Sequence, residues 1–372
     1  MLLLLALGLP LIAGCSSPAA LKIGSVPLPH SIGGASFDVV EIDQAGHRAY
    51  VADRAGGVDV FDLSQAKAKY ASSISMPASA NGLALAPALG RLFVGLADGT
   101  VAIVDVKPGS PSAGTVIQIA KTGGKEADLL DYAASTNQVY VSNGVGGTIT
   151  QVDAQSGDVK AHFKVGYALE QPRFNPADGM LYVTSPDADA LFRIDPAGGA
   201  IKSKMALGGC SPMGMAIDPH TDHALIACRL SVIDWDLRTG NAANFGQVEA
   251  GDVVTYDPKV DQFFVASPSK GRGGAVGIFS ANPVDYVSTV VTGAGGNSAA
   301  YDETHGVVYT PDDRPNRAGL ASFQPPSADQ ALTAALPSLI PIGVLLLAVG
   351  LFLVIIARQA DPIRRPVTPA AK

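Results

Sequence analysis

Gly179-Met-Leu-Tyr-Val-Thr-Ser-Pro-Asp-Ala-Asp-Ala-Leu-Phe-Arg-Ile-Asp195 reads as two short strands joined by a Pro/Asp turn. Branched, leucine and aromatic residues favour strands, and Pro with Asp punctuates them. The unit recurs seven times. Aligned on Tyr182, the repeats fall at Tyr50, Phe93, Tyr140, Tyr182, Leu225, Phe264 and Tyr309, in steps of 43, 47, 42, 43, 39 and 45 residues. A period of roughly 40 to 45 marks a propeller whose blades carry four strands each.

Two further registers keep step with the first. Seven residues before each aligned position stand Asp43, Ala86, Ala133, Asn175, Asp218, Asp257 and Asp302, and Pro follows four of them, as Pro87, Pro176, Pro219 and Pro258. Pro presets φ and an Asx side chain can bond the backbone beyond it, so each blade has a hairpin between its first two strands. About twelve residues after most of the aligned positions the third strand closes on Asp62, Asp105, Asp153, Asp195 and Asp234; blades six and seven have Ser280 and Gln324 there. Long amphipathic helices are absent from the middle of the chain, so the body is all-β.

Ala80-Asn-Gly-Leu-Ala-Leu-Ala-Pro87 with Arg91-Leu-Phe-Val-Gly95, and Pro212-Met-Gly-Met-Ala-Ile-Asp-Pro219, resemble the blades of the YVTN-repeat β-propeller family. The resemblance covers about residues 21–324 and rests on the sevenfold repetition. It implies a seven-bladed propeller and leaves function open, because such propellers serve many tasks.

The chain opens on an apolar run, residues 1–14, of signal-peptide length and too short to span a bilayer. Ile12-Ala-Gly-Cys15 looks like a bacterial lipobox, so Cys15 is the expected lipidation site and residues 15–20 a lipidated spacer. The alternative is ordinary cleavage after Ser17-Pro-Ala-Ala20, which would leave no lipid. No Lys or Arg precedes the run, which leaves room for a start upstream of Met1. Leu21-Lys-Ile-Gly-Ser-Val-Pro-Leu28 reads as an isolated outer strand that completes the seventh blade and closes the ring, since the last repeat lacks one.

Beyond the propeller, residues 325–335 form a linker and residues 336–357 are 22 residues without a charge, enough for a transmembrane helix. The tail, residues 358–372, carries Arg358, Arg364, Arg365 and Lys372, and the linker has no positive charge. By the positive-inside rule the tail is cytoplasmic and the propeller faces outward, into the periplasm or cell exterior, from the cytoplasmic membrane.

The whole chain carries −7; with four basic residues and one acidic in the tail, the remainder carries about −10. An acidic outward domain argues against nucleic acid as a partner. Cys210 and Cys228 are the expected disulfide in an oxidising compartment. A soft copper(I) site built from Cys210, Met213, Met215 and Cys228 is the alternative.

For function, the informative register lies five residues before each turn residue: Asp38, Asn81, Asp128, Glu170, Met213, Asp252 and Asn297. The first strand of a propeller blade lines the central channel, so these residues should ring one mouth and could hold a divalent cation or a small cationic ligand. The alternative is that these side chains cap backbone amides where the strands begin, or face channel water. No GxSxG, HExxH or C-x₂-C motif occurs, the six His keep no common register, and Trp235 is the only Trp. The expectation is a binding module for a cell-envelope protein or a cationic ligand, with no required cofactor. The alternative is a metal-dependent, lactonase-like hydrolase on the same ring.

Overall fold

Side chains that bond their own backbone shape each repeat first. Asp43, Asn175, Asp218, Asp257 and Asp302 accept hydrogen bonds from the N–H groups of Gly46, Ala177, His220, Lys259 and Thr304 at 2.8 to 3.0 Å, fixing the first hairpin turn. Asp62, Asp105, Asp153 and Asp195 do the same at the ends of their strands, taking the N–H groups of Ser64, Lys107, Gln155 and Ala197. Blade five departs from the expected Asp234. Its third strand runs Val232–Asp236 and Asp236 makes the cap, to Arg238 N at 2.8 Å. Asp234 lies on the strand's face, where it meets His223 Nδ1 at 2.7 Å, and the chain stays extended for two residues more.

The computed structural model describes residues 21–29, 36–268, 273–314 and 317–326. The expected signal segment, Cys15, most of the linker, the apolar stretch 336–357 and the tail lie outside the described residues. Among the described residues no helix is long and apolar enough to cross a membrane.

Strands numbered in chain order form seven antiparallel four-stranded sheets. Blade one consists of β2 (Phe37–Asp43), β3 (Arg48–Asp53), β4 (Gly57–Asp62) and β5 (Lys69–Ile74). The inner strands that follow are β6 (Ala80–Ala86), β10 (Leu130–Ala133), β14 (Pro172–Asn175), β18 (Met215–Asp218), β22 (Val254–Asp257) and β26 (Ala300–Asp302). In blade seven, β26, β27 (Val307–Asp312) and β28 (Gly319–Gln324) are joined on the outside by β1 (Leu21–Pro27), whose register runs from Leu21 opposite Gln324 to Pro27 opposite Gly319.

The core fills the spaces between blades, and the aligned residue of each repeat faces the next blade. Tyr50 packs with Leu83 and Val94 of blade two, Phe93 with Leu130 and Val141 of blade three, and Tyr140 with Leu181 and Phe192 of blade four. Tyr309 packs with Phe37 and Val40 of blade one. A buried ring of this size contributes about 2–3 kcal/mol through the apolar area it removes from water. The aromatic spacing in the sequence is therefore the spacing of the inter-blade contacts.

Candidate functional site

The predicted mouth register occupies one equivalent place in successive blades. The backbone N–H groups of Asp128, Glu170, Met213 and Asp252 donate to Ser142, Thr184, Ala227 and Ala266 carbonyls at the ends of their second strands, at 2.9, 3.0, 2.9 and 2.7 Å. Neighbouring blades are bonded to each other at this level. Gly82 N donates to Asp128 O at 3.0 Å, Gly214 N to Asp252 O at 2.8 Å, Val253 N to Asn297 O at 3.0 Å, and Ser298 Oγ to Asp38 O at 2.7 Å. A Cβ at Gly82 or Gly214 would collide with the Asp128 or Asp252 carbonyl, so the approach requires glycine at these two positions. In blade four the residue at this position bonds through its side chain. Gln171 Oε1 accepts from Met215 N at 2.8 Å and Val254 N at 3.2 Å, tying blade four to blades five and six.

Within this ring the polar side chains divide into three kinds. Asn81 and Asn297 brace backbone, donating to Ala127 O at 3.3 Å and Phe37 O at 3.2 Å, as capping residues would. Asp38 is paired with Arg54, whose Nη2 donates to it. Asp128, Glu170 and Asp252 make no side-chain hydrogen bond among the described residues, and they repel one another. Burial first, then the charges of Asp38 and Glu126, push Asp128 up to about 7, with Arg54 pulling the other way. Burial and the Asp38 and Asp128 charges push Asp252 to about 7, again against Arg54. Glu170 goes to about 8 through burial and the charges of Asp128, Asp252, Asp38 and Glu126. Met213 interrupts the acidic ring, offering its carbonyl to Thr184 Oγ1.

Arg54 and Glu126 carry no signal in the mouth register. Arg54 stands in the hairpin loop after β3, and Glu126 two residues ahead of Asp128, beside Asn81 Nδ2 at 3.2 Å. Among the described residues no three His, Cys, Asp or Glu side chains converge closely enough to hold a metal ion. Cys210 and Cys228 are joined in a disulfide with Cα atoms 4.8 Å apart, which leaves no thiolate there for copper(I).

A second polar register lies three residues further along each inner strand: Glu41, Ala84, Asp131, Arg173, Ala216, Thr255 and Ala300. Small residues here leave room, and a cavity of about 370 Å³ opens beside Ala216, Thr255 and Ala300 and extends to Gln44, Pro176 and Pro219 on the turn side. Arg173 is held in its wall by Asp131 Oδ1 at 3.2 Å and by the carbonyls of Leu130, Pro172 and Val254 at 3.3 to 3.4 Å. Asp131 also accepts from Phe174 N at 2.7 Å. Burial pushes the Glu41 carboxyl up to about 7, Arg173 opposing and Asp131 adding to the shift.

Among solved structures the chain is similar to hydrazine synthase of Kuenenia stuttgartiensis, at 15% identity and a TM-score of 0.64 over 76% of this chain and 94% of that one. At that identity the likeness speaks for the propeller fold alone. No family model and no curated protein matches the chain.

Proposed function

We propose that the chain is a membrane-anchored, outward-facing binding module of YVTN-repeat type, in a ring closed by its N-terminal strand. Its acidic channel mouth takes a cationic ligand or a basic segment of a cell-envelope protein. The carrying observation is the trio Asp128, Glu170 and Asp252: three carboxyl groups without hydrogen-bond partners among the described residues, each raised by burial and by the charge of nearby carboxylates. Arg54 opposes the shift at Asp128 and Asp252, and it is engaged with Asp38. A cation at the mouth relieves that repulsion, so binding and ionisation favour each other. The trio is spread over blades three, four and six, which suits a ligand with separated positive charges better than one compact ion. Without convergent ligands the lactonase-like alternative has no observation in its favour. The anchoring part of the reading rests on the apolar stretch 336–357, the basic tail and Cys15.

Calorimetric titration of the purified full-length chain with spermidine tests the mouth. The trio ionises as pH rises through about 7 to 8, so affinity should strengthen from pH 6 to pH 8.5, and the Asp128→Asn/Asp252→Asn variant should lose it. Equal binding by the variant, or binding that ignores pH, would rule the mouth out.

A further inference from the structure

The cavity further along the channel has a composition of its own. Among the described residues Glu41 makes no hydrogen bond or ion pair, although its side chain lines the cavity. The other charged groups in the wall are occupied. Asp131 is satisfied by Arg173 and Phe174 N, and Asp257 by the N–H groups of Lys259 and Val260. Arg173 spends its two terminal nitrogens on Asp131 and three carbonyls, so it offers little to an anion.

Aromatic side chains make up much of the remaining wall. Tyr132, Phe174, Tyr256 and Tyr301 line the cavity and are partly exposed to it. Ring packing holds three of these: Phe174 stacks on Tyr140 with centroids 6.1 Å apart, Tyr301 on Phe264 at 6.1 Å, and Tyr256 tilts against Phe263 at 4.9 Å. A fixed aromatic wall beside one unpaired carboxylate favours a cation of low charge density, because ring faces attract such an ion without needing to replace a tight hydration shell. A small metal ion would need several oxygen ligands, and Glu41 is the one uncommitted carboxyl in this wall. The volume of about 370 Å³ admits a guest of a few heavy atoms with its bound water.

We propose that this cavity is a second binding site, separate from the mouth, for a small organic cation such as an alkylated ammonium, with Glu41 as its counter-ion and Phe174, Tyr256 and Tyr301 as its enclosing wall. It stands on residues that the mouth does not use, so either site can be wrong without the other.

The test is calorimetric titration of the purified full-length chain with tetramethylammonium chloride, against sodium chloride at matched ionic strength. One equivalent should bind, weakened about tenfold or more by Glu41→Gln and by Phe174→Leu, since each removes one attractive component. Asp128→Asn/Asp252→Asn should leave this affinity within about twofold, because those groups lie at the other register and act only at long range. Saturation transfer from aromatic protons to the ligand methyls in the unmutated chain reports the same contact without relying on a variant's folding. No binding by the unmutated chain, unchanged affinity in Glu41→Gln, or loss in the mouth variant alone would each overturn the assignment. Spermidine binding lost in the mouth variant while tetramethylammonium binding persists would establish two independent sites.

Discussion

Arg54 is the residue on which the charge balance of the mouth turns. Its side chain is 42% exposed and that of its partner Asp38 is 6% exposed, so the pair is partly in water and its direct contribution to stability is small. Its effect on the neighbours reaches further, since Asp128 and Asp252 both feel it. Arg54→Gln should therefore lower the unfolding midpoint modestly and raise spermidine affinity about tenfold, by removing a competing positive charge. Calorimetry on the two proteins reads both, and a loss of affinity would show that Arg54 belongs to the ligand's own contacts. The trio also sets a pH dependence of stability. Asp128, Glu170 and Asp252 titrate near 7, 8 and 7 when folded and at ordinary carboxyl values of 3.8 to 4.5 when unfolded. Between those limits the folded chain holds more protons, so their contribution is complete below about pH 4 and is lost as pH rises through 7 to 8. The unfolding midpoint should fall from pH 5.5 to pH 8.5, and Asp128→Asn/Asp252→Asn should flatten the slope; an unaltered slope would place its origin elsewhere.

At the scale of the element, the end of the second strand ties down the chain arriving from the previous blade. Ser185 Oγ donates to Ala168 O at 2.6 Å and Ser267 Oγ to Glu249 O at 2.7 Å. Cys228 occupies the same place in blade five, and its disulfide to Cys210 makes the tether covalent. With a sequence separation of 18, losing the bond should cost about 3 kcal/mol. Cys210→Ala/Cys228→Ser should recover about 1 kcal/mol relative to Cys210→Ala/Cys228→Ala, because serine can donate to the loop as it does in blades four and six. Urea unfolding of the two variants decides this; equal midpoints would mean that the cysteines act through chain closure alone. The same elements show what sequence could and could not reveal. Turn caps such as Asp43 and Asp62 were legible because an Asx side chain bonds backbone two or three residues away. The sequence places the end of the third strand of blade five at Asp234, because two acidic residues stand two apart there and only strand length chooses Asp236. The mouth register was legible from repetition, whereas Arg54 reaches it from a loop. The register of Glu41 and Arg173 gains meaning only once inner strands of different blades face a shared cavity.

For the whole molecule, what matters is that contacts run sideways from blade to blade and that the last sheet takes a strand from each end of the described chain. β1 covers β28 along Gly319–Gln324, and Val26 enters a cluster with Phe37 of blade one and with Tyr309 and Leu320 of blade seven. Removing residues 21–27 would take away both the edge partner and an apolar side chain from that cluster. The exposed β28 would then present unpaired N–H and C=O groups, a surface that pairs with whatever strand is available. Blade seven also holds blade one through Ser298, Asn297 and Gln44, so loosening it reaches the mouth register at Asp38. The truncated chain is therefore expected to unfold at lower temperature, to be cut first by protease within residues 300–324, and to form dimers or larger species by lending strands between copies. Light scattering after size exclusion, with limited proteolysis, checks all three. A truncated chain that stays monomeric with an unchanged midpoint would mean that β26, β27 and β28 suffice as a blade, and that the N-terminal strand adds cover without carrying the assembly.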